Sequence, residues 1–126
     1  MKTYQGGCHC GGVKFELKAM IDKAVLCNCS ICYKKGFLHF FVNQDSFKLL
    51  TPKENLSLYQ FNTKQAKHFF CKSCGVQSYY IPRSHPDQVD VNLRCVDGVE
   101  LSSLPHIDFD GANWESSIDK LKSDIS

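Results

Sequence analysis

"HFFCKSCGVQSYY", residues 68–80, reads as two short strands joined at a metal-binding knuckle. Aromatic residues crowd both arms, as pleated strands prefer, and Cys71, Cys74 and Gly75 occupy the bend between them. A C-x-x-C turn presents two sulfurs side by side. Zinc takes thiolates at about 2.3 Å, so its neighbouring sulfurs lie roughly 3.5 to 4 Å apart, a spacing such a turn provides. One turn supplies only two ligands, and a four-sulfur site needs a second group brought in by the fold.

The chain holds eight cysteines, and seven of them are grouped. "GGCHCGG", residues 6–12, carries Cys8 and Cys10 one residue apart, too close to bridge each other in relaxed disulfide geometry. "CNCSIC", residues 27–32, carries Cys27, Cys29 and Cys32, while Cys95 stands alone in "NLRCVDG". Spacing alone does not say which groups share an ion: Cys27 and Cys29 pair with Cys71 and Cys74 as readily as Cys8 and Cys10 do. It does say that three thiols within six residues can grip one face of an ion and leave a fourth direction uncommitted.

Composition points the same way. With 126 residues and 43% hydrophobic content the chain fits a single zinc-binding domain over 1–126. Its net charge of +2 is scattered, which gives no support for a nucleic-acid partner. No apolar run is long enough for a membrane span and none follows the N-terminus as in a signal peptide, so a reducing, cytoplasmic setting is expected. There, clustered cysteines hold metal more often than they cross-link. Thiolate sets favour zinc or iron–sulfur clusters, and these spacings match neither common ferredoxin run, so zinc is the expected metal.

The remaining pattern is β. "VKFELK" at 13–18 alternates apolar and charged residues, and 37–42, 56–61, 67–70, 76–81 and 89–94 read as further short strands. Only "ESSIDKLKSD" at 115–124 reads as helix. The expected class is mostly β, with antiparallel sheets and little helix.

The order of "GGCHCGGVKF", "LCNCSICYKKG", "FFCKSCGVQSYY", "VNLRCVD" and "FDGANWE" resembles the family of glutathione-dependent formaldehyde-activating enzymes, which also contains a centromere-associated zinc protein. The resemblance implies a β-tent fold similar to that of a guanine-nucleotide-exchange chaperone and pinned by a structural zinc. It implies that Cys8, Cys10, Cys71 and Cys74 hold that zinc, and that Cys27, Cys29 and Cys32 hold a second, catalytic one with an open position. The implied activity is that of a carbon–sulfur lyase or synthase acting on a glutathione, or other thiol, adduct of formaldehyde or a related small aldehyde. Cations for the carboxylates of such a thiol would come from Lys34, Lys35, Arg83 or Arg94.

A second reading closes both sites with four cysteines each, Cys95 completing the second, and makes the chain a non-catalytic zinc-binding interaction module. His9 lies between two ligands and should point away from the metal. His39 shares a strand face with Phe37 and Phe41 and reads as a hydrogen-bonded core histidine; His68, His85 and His106 read as surface or turn residues. Tyr79, Tyr80 and Phe40 read as core. "DFDGANW", with Asp108, Asp110 and Gly111, resembles a turn leading to an aromatic anchor at Trp114. Antiparallel edges make a homodimer an expectation to test.

Overall fold

The computed structural model describes residues 1–61, 66–83, 85–110, 113 and 118. Strands β1 (Lys2–Gly7) and β2 (Lys14–Ala19) form an antiparallel hairpin whose connection carries Cys8 and Cys10. On β2 the alternation read from sequence is realised: Phe15, Leu17 and Ala19 are buried and Lys14 and Lys18 are exposed. Next come β3 (Ala24–Cys27), a six-residue helix α1 (Ser30–Lys35), β4 (Leu38–Asn43) and the short β5 (Phe47–Leu49). Strands β6 (Leu56–Tyr59), β7 (Lys67–Cys71), β8 (Tyr79–Ile81), β9 (Gln88–Asn92) and β10 (His106–Phe109) complete the described elements.

The strands make two sheets. The smaller has the order β1-β2-β5 and the larger β10-β3-β4-β9-β8-β7-β6. Every pair is antiparallel except β10 with β3, which run parallel. The fold is thus mostly β and mostly antiparallel, as expected, and the one parallel pair places Phe109 opposite Cys27. Strands β1, β3, β5 and β10 lie outside the expected segments. Helix α1 is likewise additional, because its apolar content is too slight to show a helical period. It is set by its ends: Cys29 caps it, its Sγ accepting from the Cys32 N–H at 3.4 Å, and Gly36 closes it at φ +64°. Apart from Ile118, the segment 115–124 lies outside the described residues, as do Gly111 and Trp114. Among the described residues no helix is long and apolar enough to cross a membrane.

One apolar cluster joins the sheets, with Phe15, Leu17 and Ala19 of β2 meeting Leu38, Val42, Tyr79, Val89 and Val91 of the larger sheet. Phe15 is fully buried and stacks on Phe47 at 5.1 Å. It also lies against Gly6, where a Cβ would stand 2.4 Å from both the Phe15 ring and the Cys95 carbonyl oxygen. A neighbourhood this tight relaxes little around a lost ring. Phe15→Ala is therefore expected to lower unfolding free energy by about 3–5 kcal/mol, read as a shifted midpoint in urea.

Candidate metal centres

The loop after β1 and the loop after β7 meet across the end of the two sheets. Asn55 ties them, donating from Nδ2 to the Gly12 carbonyl at 2.7 Å while its own carbonyl accepts from Lys72 N at 3.0 Å. Each loop turns around its sulfurs. Val13 N–H donates to Cys8 Sγ at 3.3 Å and Gly12 N–H to Cys10 Sγ at 3.4 Å; across the gap, Gly75 N–H bonds the Cys71 carbonyl at 2.9 Å, with Gly75 at φ +77°.

These turns bring Cys8, Cys10, Cys71 and Cys74 together, with all four sulfurs within 4.8 Å of one another. Cys8 to Cys10 is 3.7 Å and Cys10 to Cys71 is 3.6 Å, close to the edge of a tetrahedron built on zinc–sulfur bonds of about 2.3 Å. The donor set and its spacing fit zinc. Backbone N–H groups, that of Val76 foremost, draw Cys74 down to about 6, and the N–H of Cys74 lowers Cys71. Gly12 N–H pulls Cys10 the same way, but the neighbouring thiols of Cys71 and Cys8 outweigh it and push Cys10 up to about 11.

The second group lies where β3 runs into α1: the sulfurs of Cys27 and Cys32 lie within 4.8 Å of each other, while Cys29, between them in sequence, stands outside that mutual distance. Cys29 N–H donates to Cys27 Sγ at 3.5 Å, and Cys32, buried in the first turn of the helix, sits behind them. The neighbouring thiols of Cys27 and Cys32 hold Cys29 far below an ordinary thiol; Cys27 is raised to about 11 in return, and Cys32 is raised by both neighbours. The sulfurs of Cys27 and Cys32 also share their 4.8 Å neighbourhood with a ring nitrogen of His39. His39 is buried, as a core histidine should be, and its Nδ1 lies 2.5 Å from Asp90 Oδ2. Sequence gave no sign that it faces the sulfurs. The register does: His39 pairs with Val25 across β3–β4, two residues before Cys27.

Beside this group lies a cleft of about 480 Å³ lined by Cys27, Cys32, Tyr33, Phe37, Arg94 and Asp110, among others. Asp110 is held in place by Nδ2 of Asn28 and of Asn113, each at 2.9 Å, and those bonds lower its pKa. Of the four cations considered, Arg94 lines this cleft, its Nε donating to the Gly36 carbonyl at 3.2 Å. Lys34 and Lys35 line a separate cleft of about 400 Å³ with Tyr59 and Phe61, and Arg83 lines neither. Lys35 turns inward: its Nζ contacts His68 Nδ1 at 3.3 Å and bonds Gln77 Oε1, over the rings of Phe37 and Tyr80 at 5.2 Å. Burial lowers its pKa while the charge of Cys32 works against that.

Two other expectations change. His68 is not a surface residue: it is buried on β7, stacked on Tyr80 at 4.8 Å, and its pKa falls to about 4 through burial and then the Lys35 charge. Cys95 stands with neither group. Its thiol donates to the Gln77 carbonyl at 3.6 Å, and the sulfurs whose charge it feels are Cys8 and Cys74 rather than those of the second group. Tyr79 and Tyr80 are buried core residues.

A family model described as glutathione-dependent formaldehyde-activating enzyme matches residues 3–109. A crystal structure of a Rhodobacter sphaeroides protein is similar at 34% sequence identity, covering 82% of this chain and 99% of that one, with a TM-score of 0.74.

Proposed function

The chain belongs to the family of glutathione-dependent formaldehyde-activating enzymes, and from that premise we propose that it joins a small thiol, glutathione first, to formaldehyde. In this reading Cys8, Cys10, Cys71 and Cys74 hold a structural zinc, and Cys27, Cys29 and Cys32 hold a second ion at the mouth of the cleft. Zinc held there would stabilise an incoming sulfur as thiolate at neutral pH. The supporting observation is the cleft itself: two of the three sulfurs line a space within the size range of small-molecule sites, with a cation at its rim.

The chain's own groups divide the work. Arg94 receives a carboxylate of the thiol, while Phe37 and Tyr33 flank it with apolar surface. Lys35 places a positive charge behind Cys32 and offsets the excess negative charge of three thiolates. The sulfur attacks the aldehyde carbon, a carbon–sulfur bond forms, the π pair moves to oxygen, and the thiol's proton ends there. The product is the S-hydroxymethyl thioether.

Calorimetric titration of glutathione into the zinc-loaded protein tests this, and absence of binding at millimolar concentration would overturn it. Arg94→Ala is expected to weaken glutathione about 10-fold, the smaller end of what a hydrogen bond to a charged group contributes, because the site is open to solvent. Zinc content should stay at the wild-type value in that variant.

A further inference from the structure

We propose that His39, through Nε2, is a ligand of the second metal centre, occupying at rest the direction that its three sulfurs leave free. The inference rests on the reading of Cys27, Cys29 and Cys32 as a metal centre and deepens it. Three observations on His39 carry it.

The first is an unpaid polar atom. His39 is 2% exposed and its Nε2 has no hydrogen-bond partner. Buried ring nitrogens are nearly always satisfied, since leaving one bare costs about 1–3 kcal/mol. The rings packed around it are Phe37 at 4.6 Å, Tyr80 at 5.8 Å and Phe41 at 6.3 Å.

The second is position. A ring nitrogen of His39 lies within 4.8 Å of both Cys27 and Cys32 sulfurs. Nδ1 is committed to Asp90, so Nε2 is the nitrogen left to coordinate. Nε2 makes no hydrogen bond, and the ring nitrogen and the two sulfurs are near enough to share one ion.

The third is the support behind the ring. Asp90 is fully buried and its Oδ2 lies 2.5 Å from His39 Nδ1. A carboxylate fixed on the far nitrogen is how metal-binding imidazoles are oriented: it sets the tautomer with the lone pair on the near nitrogen. The pair spans two neighbouring strands, β4 and β9, so the ring is held by the sheet rather than by a loop.

The consequence is a resting centre built on the sulfurs of Cys27 and Cys32 and one nitrogen, with Cys29 joining it as the third sulfur under the proposed reading. A substrate thiol then reaches the ion by exchanging with a ligand already there, and His39, the one neutral donor, is the ligand to exchange.

Cadmium-substituted wild-type protein with nitrogen-labelled histidine provides a test that needs no mutation. Two cadmium resonances are expected, one of them split by a single imidazole nitrogen. His39→Ala should remove the splitting and weaken the second ion further than Asp90→Asn, which is expected to weaken it about 10- to 100-fold as loss of a supporting residue does. Neither variant should lose the first ion, which reports that the fold is intact. The inference falls if no cadmium signal couples to histidine, or if His39→Ala holds the second ion as tightly as wild type while Cys32→Ser releases it. If Cys32→Ser also keeps two ions at unchanged affinity, the metal reading of the Cys27, Cys29 and Cys32 group fails and takes this inference with it.

Discussion

Chelating the metal from the Cys8, Cys10, Cys71 and Cys74 group, or replacing Cys71 by Ser, is expected to unfold the chain rather than merely soften it. The group joins the β1–β2 loop of the three-stranded sheet to the β7–β8 connection of the seven-stranded one. Structural zinc contributes an apparent 10–16 kcal/mol, about as much as the whole stability of an ordinary domain at 5–15 kcal/mol. Cys71 is buried, so a serine there adds an unsatisfied hydroxyl to the lost ligand. Far-UV circular dichroism during chelator titration reads the result; a spectrum and urea midpoint unchanged after metal removal would defeat the expectation. The pH dependence has a definite sign. In the metal-free group Cys74 is held near about 6 and Cys10 is pushed up to about 11, so at neutral pH Cys10 must shed a proton to bind while Cys74 is already mostly thiolate. Below about pH 6 the Cys74 proton must leave as well. Metal affinity is therefore lost as pH falls, and more steeply once Cys74 is protonated.

How much of this was legible in the sequence depended on whether the signal was periodic or spatial. The alternation of Phe15, Leu17 and their charged neighbours announced β2, and the C-x-x-C bend announced the turn between β7 and β8. Short strands without alternation did not announce themselves. Strand β10 is held by its parallel partner β3, and β5 has only three residues, so tertiary pairing rather than pattern makes them strands. Helix α1 owes its existence to a thiol acting as N-cap, a role sequence rules reserve for Ser, Thr, Asp and Asn. Cysteine spacing could not partition the sulfurs, because which loops meet is decided by a register that brings residues 8 and 71 together across the sheets. His39 and Asp90 are 51 positions apart, and each alone reads as an ordinary buried residue. Only their placement on adjacent strands, with one nitrogen left bare, makes them a feature.

Cys29→Ser is expected to leave the fold intact and remove the second centre, with zinc content falling from two ions per chain to one. Cys29 has two jobs that this substitution separates. As N-cap of α1 its Sγ accepts the Cys32 N–H, and serine does that at least as well, so the helix and the positions of Cys32 and Lys35 should persist. As a sulfur it is the one of the three whose pKa its neighbours Cys27 and Cys32 lower, which favours its thiolate. A serine hydroxyl stays protonated at neutral pH and is a harder donor, so it replaces the cap and not the ligand. Glutathione affinity should fall by more than about 100-fold, beyond the upper end of what loss of a mere supporting residue costs. Cys29→Ala gives the complement: the same loss of metal and thiol binding with about 1 kcal/mol of additional instability from the missing cap. Elemental analysis paired with thermal unfolding distinguishes the two jobs. A Cys29→Ser protein that retains two ions and binds glutathione like wild type would show that the thiol partner is received somewhere other than at this sulfur group.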